Sequence, residues 1–182
     1  LFFYGWWNPS YVPLLAGSIL VNFLVARGMV HAPRKSRRRF GLLTLGVTFN
    51  LCLLGYFKYA AWLLGEVGEI AGTAFTLAAT TLPLAISFYT FQQISYLVDV
   101  WRTRGREYDL LRYATYVTFF PQLIAGPIVR HHELIPQFEL DPMREGFWER
   151  LGRGSVLFCI GLCKKVLIAD SLAEIVDPAY AS

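Results

Sequence analysis

The sequence predicts an all-α fold, a polytopic transmembrane helical bundle with one broken or re-entrant segment. Three observations point there. Of 182 residues, 55% are hydrophobic and only 16% charged, where a soluble domain carries about 25% charge. The apolar residues fall in blocks that recur past Phe40, Leu82, Tyr113 and Gly154, which is the patterning of successive membrane spans rather than of a signal peptide before a soluble domain. The basic residues sit in short clusters between those blocks, where they orient a membrane protein. The net charge of +4 therefore implies no nucleic-acid partner. The chain opens on Leu1 and ends on "DPAYAS", and is expected to be an internal piece of a longer protein, a single truncated membrane domain over 1–182.

Leu1–Trp7 reads as the tail of a helix, and Asn8-Pro9 as a turn. A first span is expected over Tyr11–Ala26. The stretch "ARGMVHAPRKSRRRF" follows, with Arg27, Arg34, Lys35, Arg37, Arg38 and Arg39 and no acid, and is assigned to the cytoplasm. Phe40–Leu64 is long enough to cross, since about 20 apolar residues suffice. Gly65–Leu82 holds Glu66 and Glu69 without Lys or Arg and belongs outside. Pro83–Trp101 returns inward, with Pro83 suited to a first helical turn. Arg102, Arg104, Arg106 and Arg112 mark a second cytoplasmic loop. A broken segment is expected over Tyr113–Val129, a polar mixed-charge stretch over Arg130–Arg153, and an apolar helix over 154–169, whose Lys164 and Lys165 read as interface anchors or as the mouth for an anionic carrier.

The broken segment rests on Pro121, Gly126 and Pro127. Proline removes a backbone donor and clashes with the turn before it. Irregular backbone at membrane depth is tolerated only where protein or a water-filled cavity surrounds it. A cavity-lining break and a simple proline kink both satisfy that spacing.

On the Pro83–Trp101 helix, Gln92, Tyr96 and Asp99 recur at i, i+4 and i+7 and so share one face, as expected of polar residues turned to a bundle interior. Hydrogen bonding between helices is the preferred role, substrate contact the other. His131 and His132 invite general-base chemistry, yet beside Arg130 and Glu133 they read as a solvated patch at the membrane surface. Adjacent helical residues point about 100° apart, so a shared metal clamp is not expected. Lys58, among Tyr56, Tyr59 and Trp62, reads as snorkelling in an aromatic belt. Cys52, Cys159 and Cys163 lie in apolar runs and read as small hydrophobes. No metal site, phosphate-binding loop or nucleophile elbow is present in the pattern.

Four stretches stand in order: "LGYFKYAAW" (Leu54–Trp62), "LPLAISFYTFQQISYLVDVWR" (Leu82–Arg102), "FFPQLIAGPIVRHHELIPQF" (Phe119–Phe138) and "GLCKKVLIADSL" (Gly161–Leu172). Together they resemble the membrane-bound O-acyltransferase (MBOAT) family, in its bacterial alginate O-acetyltransferase branch. The pattern GPI-x-R-x-x-E-L is met by Gly126, Pro127, Ile128, Arg130, Glu133 and Leu134, with His131 and His132 in variable places. The resemblance implies an integral enzyme of the bacterial cytoplasmic (inner) membrane that moves an acyl group, usually acetyl, from a cytoplasmic thioester towards an exported polysaccharide. The donor, acetyl-CoA or an acyl carrier, is a substrate, and no cofactor is held tightly. A periplasmic or extracellular acyltransferase is an implied partner, beside the lipid bilayer. The family's histidine is expected beyond Ser182, so no catalytic residue is assigned within 1–182, and this stretch alone is expected to be inactive. The core candidates are Gln92, Tyr96, Asp99, Pro121, Gly126, Pro127, Arg130 and Glu133. A D-alanyl transferase of teichoic acid, and a transporter or channel with a pore-lining broken helix, are the alternatives.

The charge alternation makes a direct prediction. Accessibility tags at Arg38 and Gly68 will report opposite faces of the membrane, and labelling of both from one side overturns the topology.

Overall fold

The structure, a computed structural model, describes residues 2–33, 36–71, 82–103, 108–126, 129–173 and 176. Among the described residues it is all-α, without strands. Two compact units divide the chain, Leu1–Gln137 and Phe138–Ser182.

The first unit begins with α1 (Phe2–Trp7). Asn8 ends it and caps a single 3₁₀ turn, Pro9–Tyr11, by accepting from the Ser10 amide at 3.0 Å. α2 follows at once as Val12–His31, and α3 runs over Arg37–Ala71. Two stretches, Pro9–His31 and Arg37–Ala60, are long and apolar enough to cross a membrane. Their outer faces carry large apolar side chains: Leu20, Leu24, Phe40, Leu45 and Leu51 are all exposed. A soluble protein rarely presents so continuous an apolar surface, and lipid is the solvent that suits it.

α4 (Ile86–Thr103) completes a three-helix core with α2 and α3, and α5 (Leu110–Thr118) packs on α2 and α4. Its interior is both oily and polar. Leu15, Met29, Ile86, Leu97 and Val100 are fully buried, and so are Asn22, Asn50, Thr90, Gln92 and Gln93. Without a hydrophobic drive between helices in lipid, interhelical hydrogen bonds and close approach must supply the cohesion. Both are present. Asn22 of α2 and Asn50 of α3 exchange amide hydrogen bonds at 2.6 and 3.3 Å. The Ser18 hydroxyl of α2 donates to Gln93 Oε1 of α4 at 3.2 Å. Gly46 sits where the three helices meet: a methyl group there would lie 2.6 Å from Leu97 Cδ1 and 3.1 Å from Val25 Cγ1.

Several expectations are corrected. α2 does not stop near Ala26 but continues through Arg27 to His31, whose Nδ1 lies 2.9 Å from the Arg27 carbonyl. Arg39, assigned to a solvated basic loop, is 1% exposed. Ser36 accepts from the Arg39 amide at 3.1 Å and starts α3 early, and Arg39 Nη2 then donates to the Val100 carbonyl at 2.6 Å. Val100 is one of the last four residues of α4, whose carbonyls lack helical partners, and a cation is favoured at that end of the dipole. Pro83 does not open α4 as a first-turn residue: Pro83–Ala85 form a turn with Ala85 at φ +56°, and the helix begins at Ile86. The outer loop expected from Gly65 starts later, because α3 reaches Ala71, and 72–81 lie outside the described residues.

The expected break after Tyr113 takes the form of two short helices, α5 and α6 (Phe120–Ala125), separated by Phe119 in extended conformation (ψ 100°). Pro121 falls within the first turn of α6, where its missing donor costs nothing. α7 (His131–Leu134) ends the unit, and a 3₁₀ stretch, Ile135–Glu139, begins in it and runs past its boundary.

In the second unit, α8 (Phe147–Cys163) passes into a π-helical stretch, Lys164–Ala169. The polar run expected to end at Arg153 is thus helical from Phe147. Its start is fixed by Gly146 at φ +74°, a left-handed conformation suited to glycine. Arg150 binds the carbonyls of Pro142 at 3.2 Å and Arg144 at 3.0 Å, tying the preceding turn to the first turns of α8. Lys165 pairs with Asp170 at 2.7 Å.

The Gly46 crossing is directly testable. Gly46→Val places bulk against buried Leu97 and Val25 and will lower thermal stability of the detergent-solubilised full-length protein, by about 1–3 kcal/mol for an overpacked core. Unchanged stability would show that the three helices are not in close contact there.

Candidate functional site

The polar face of α4 meets the break at its centre. Because the helix ends at Thr118, the Tyr116 carbonyl is among the last four without a helical partner. Gln92 Nε2 of α4 donates to it at 3.2 Å. The Tyr116 hydroxyl in turn donates to the Val129 carbonyl at 3.1 Å, on the far side of the break. Gln92 thus holds α5 to α4, and Tyr116 ties the returning chain to α5. Gly126 ends α6 at φ −84°, ψ 161°, with its amide on the Gln122 carbonyl at 3.1 Å. A Cβ there would come within 2.5 Å of the Gln122 backbone, so the chain leaves α6 by a path open only to glycine.

One to two turns along α4 from Gln92 stand Tyr96 and Asp99. The Tyr96 ring lies 4.6 Å from that of Tyr113 and 5.0 Å, edge-on, from the His131 imidazole. Tyr108 and Tyr116 also meet His131 at centroid distances of 5.6 and 6.4 Å. His131 Nε2 faces Asp99 Oδ2 at 3.7 Å, with the side chains only 6% and 18% exposed. Its Nδ1 is 3.4 Å from the Tyr108 hydroxyl. Burial lowers the pKa of His131 from its ordinary value. Asp99 opposes that shift, while His132 and Arg130 add to it. The neutral imidazole is therefore the favoured form.

Tyr108 is also a wall of a cavity of about 530 Å³ lined by Phe23, Arg27, Asp109 and Leu110. Asp109 caps α5 by accepting from the Arg112 amide at 2.9 Å. The cluster is thus a buried imidazole with a carboxylate on one nitrogen and a phenol on the other, next to an opening that carries a guanidinium.

Residues 36–180 match MBOAT, the membrane-bound O-acyltransferase family. The chain belongs to the MBOAT family. It is 39% identical to the peptidoglycan O-acetyltransferase of Helicobacter pylori over 97% of this chain and 38% of that protein. It is 38% identical to a protein described as probable alginate O-acetylase AlgI of Pseudomonas aeruginosa, over 98% of this chain and 35% of that protein. A likewise described protein of Azotobacter vinelandii is 36% identical over 98% of this chain and 36% of its own length. The chain therefore spans little more than a third of the curated relatives it matches. No solved structure matches it significantly.

In this MBOAT chain the eight core candidates do not form one site. Gln92, Tyr96 and Asp99 converge on the break and on His131. Pro121, Arg130 and Glu133 are exposed, and the Glu133 carboxylate lies 3.9 Å from His132 Nε2. Arg130 serves as backbone, its carbonyl accepting from the amides of Glu133 at 3.0 Å and Leu134 at 3.3 Å. Pro127 lies outside the described residues. The reading of His131 as a solvated surface residue is overturned, for it is 5% exposed, and only His132 keeps that description. The two histidine rings lie with their centroids 5.5 Å apart and their planes at 89°. The sequence carried one signal for the buried partner: an acid on the inward face of an apolar helix, Asp99, requires a donor from elsewhere in the fold.

The Gln92 bond yields a measurable expectation. Gln92→Leu keeps the volume but leaves the Tyr116 carbonyl unpaired, at about 1–3 kcal/mol. The full-length protein will lose thermal stability accordingly, with proteolysis between Thr118 and Val129 rising first. Equal protection of that segment in both proteins contradicts the bond's role.

Proposed function

We propose that this chain forms part of an O-acyltransferase of the bacterial cytoplasmic membrane that carries acetyl from a cytoplasmic thioester, acetyl-CoA or an acyl carrier, towards an exported polysaccharide. The single observation that carries this reading is the MBOAT match over residues 36–180. Relatives named for O-acetyl transfer to peptidoglycan and alginate support the polysaccharide acceptor.

The physics of the task favours such an architecture. Moving a CoA or a carrier phosphate through hydrocarbon demands desolvation of several charges. Passing only the neutral acyl group needs no more than a narrow polar passage to the reacting centre. A helix interrupted within the core, with the Tyr116 carbonyl at its end bound by Gln92 and the Val129 carbonyl of the returning chain bound by Tyr116, is a form of backbone that can border such a passage. In the complete enzyme a neutral histidine, expected beyond Ser182, takes the proton of the acceptor hydroxyl as its oxygen attacks the thioester carbonyl. The thiol leaves with the donor. A secreted or periplasmic acyltransferase completes delivery where the acceptor lies outside.

The test is genetic and chemical together. Deleting the full-length gene will remove O-acetyl esters from the envelope polysaccharide. The complete protein will restore them, whereas residues 1–182 alone will not. An unchanged ester content in the deletion strain refutes the assignment.

A further inference from the structure

Asp99, His131 and His132 each present a ligating atom, and these atoms all lie within 4.8 Å of one another. They come from two elements, α4 and the first turn of α7. Two features set the group apart from a chance meeting of surface side chains. His131 is buried to 5% exposure, and its Nε2 has no hydrogen-bond partner among the described residues. Asp99 Oδ2, the atom it faces, is likewise buried without one. Their separation of 3.7 Å is too long for a hydrogen bond. It is close to the roughly 3.4 Å between ligand atoms around a tetrahedral ion with bonds of about 2.0–2.1 Å.

The other imidazole nitrogen strengthens the case. Nδ1 of His131 lies beside the Tyr108 hydroxyl at 3.4 Å. A ligating histidine commonly gives its second N–H to an oxygen of this kind, which fixes the tautomer and turns the other lone pair inward. With Nδ1–H directed to Tyr108, Nε2 and the Asp99 carboxylate confront each other as two acceptors. A cation between them satisfies both. Water is a poorer solution: placed about 2.8 Å from both atoms it would subtend an angle of only about 83°, too narrow for its two O–H donors to point at both.

We propose that Asp99, His131 and His132 form a binding site for one divalent first-row transition ion, with Zn²⁺ as its representative. Two imidazoles and one carboxylate are a ligand set that such ions accept, leaving a fourth position for water. His132, on the exposed side, supplies the adjustable ligand: from a spacing of at most 4.8 Å its ring closes by no more than about 1.4 Å to reach tetrahedral spacing. The ion fastens α7 to α4 across the broken segment. The site is independent of the acyl-transfer reading and makes no use of it.

The experiment loads full-length protein in detergent with Co²⁺ after chelator treatment. It reads the metal-to-protein ratio and the visible d–d absorption of a four-coordinate site, with Zn²⁺ competition for affinity. One Co²⁺ per chain, displaced by Zn²⁺, is expected. Asp99→Asn and His132→Ala will each abolish stoichiometric binding, Tyr108→Phe will weaken it about tenfold, and His31→Ala, an exposed histidine outside the cluster, will leave it unchanged. His132 is on the surface, so His132→Ala retains the fold and decides the matter if Asp99→Asn does not fold. Absence of Co²⁺ from the unaltered protein, or undiminished binding in His132→Ala, overturns the site in favour of a direct His131–Asp99 hydrogen bond.

Discussion

The architecture of the first unit depends on satisfying backbone groups where a helix is interrupted inside an apolar core. Hydrocarbon offers no hydrogen bonds, so each carbonyl released at Phe119 must find a partner within the protein. Gln92 binds the Tyr116 carbonyl at the end of α5, and the Tyr116 hydroxyl binds the Val129 carbonyl where the chain returns. The polar stripe of α4 exists to serve that need, and its position dictates where α5 can dock. The same rule explains Arg39, a buried cation whose guanidinium satisfies the Val100 carbonyl near the end of α4.

Polar bonding also decides how the long helices associate. Apolar contact alone discriminates poorly between helix faces in lipid, since every face is oily. The reciprocal Asn22–Asn50 pair and the Ser18–Gln93 bond select one rotation for each of α2, α3 and α4. Gly46 then allows the approach that those bonds require. Polar atoms set the register, and small residues set the distance.

Much of this was legible beforehand, and the limit has a physical cause. Helical class, the inward face of Gln92, Tyr96 and Asp99, and an interruption near Pro121 all follow from local rules of period and backbone chemistry. Arg39 and His131 were misread because their environments are made by partners 61 and 32 positions distant, Val100 and Asp99. A charge cluster reads as solvated until a distant carbonyl or carboxylate is known to meet it. Helix ends were also shifted, as at Ile86 and Phe147, where turns built around Ala85 and Gly146 rather than the periodic pattern set the first residue.

The length of α3 has a mechanical corollary. Its 35 residues make a rod of about 52 Å, against a hydrocarbon slab of about 30 Å. The apolar part, Arg37–Ala60 at 24 residues, extends about 36 Å and fits that slab with a modest inclination. The apolar character continues past Ala60 through the exposed Trp62 and Leu63, and the last turns of α3 carry Glu66 and Glu69. The helix is therefore longer than the slab it crosses, and the surplus must be taken up by inclination or by turns lying beyond the hydrocarbon.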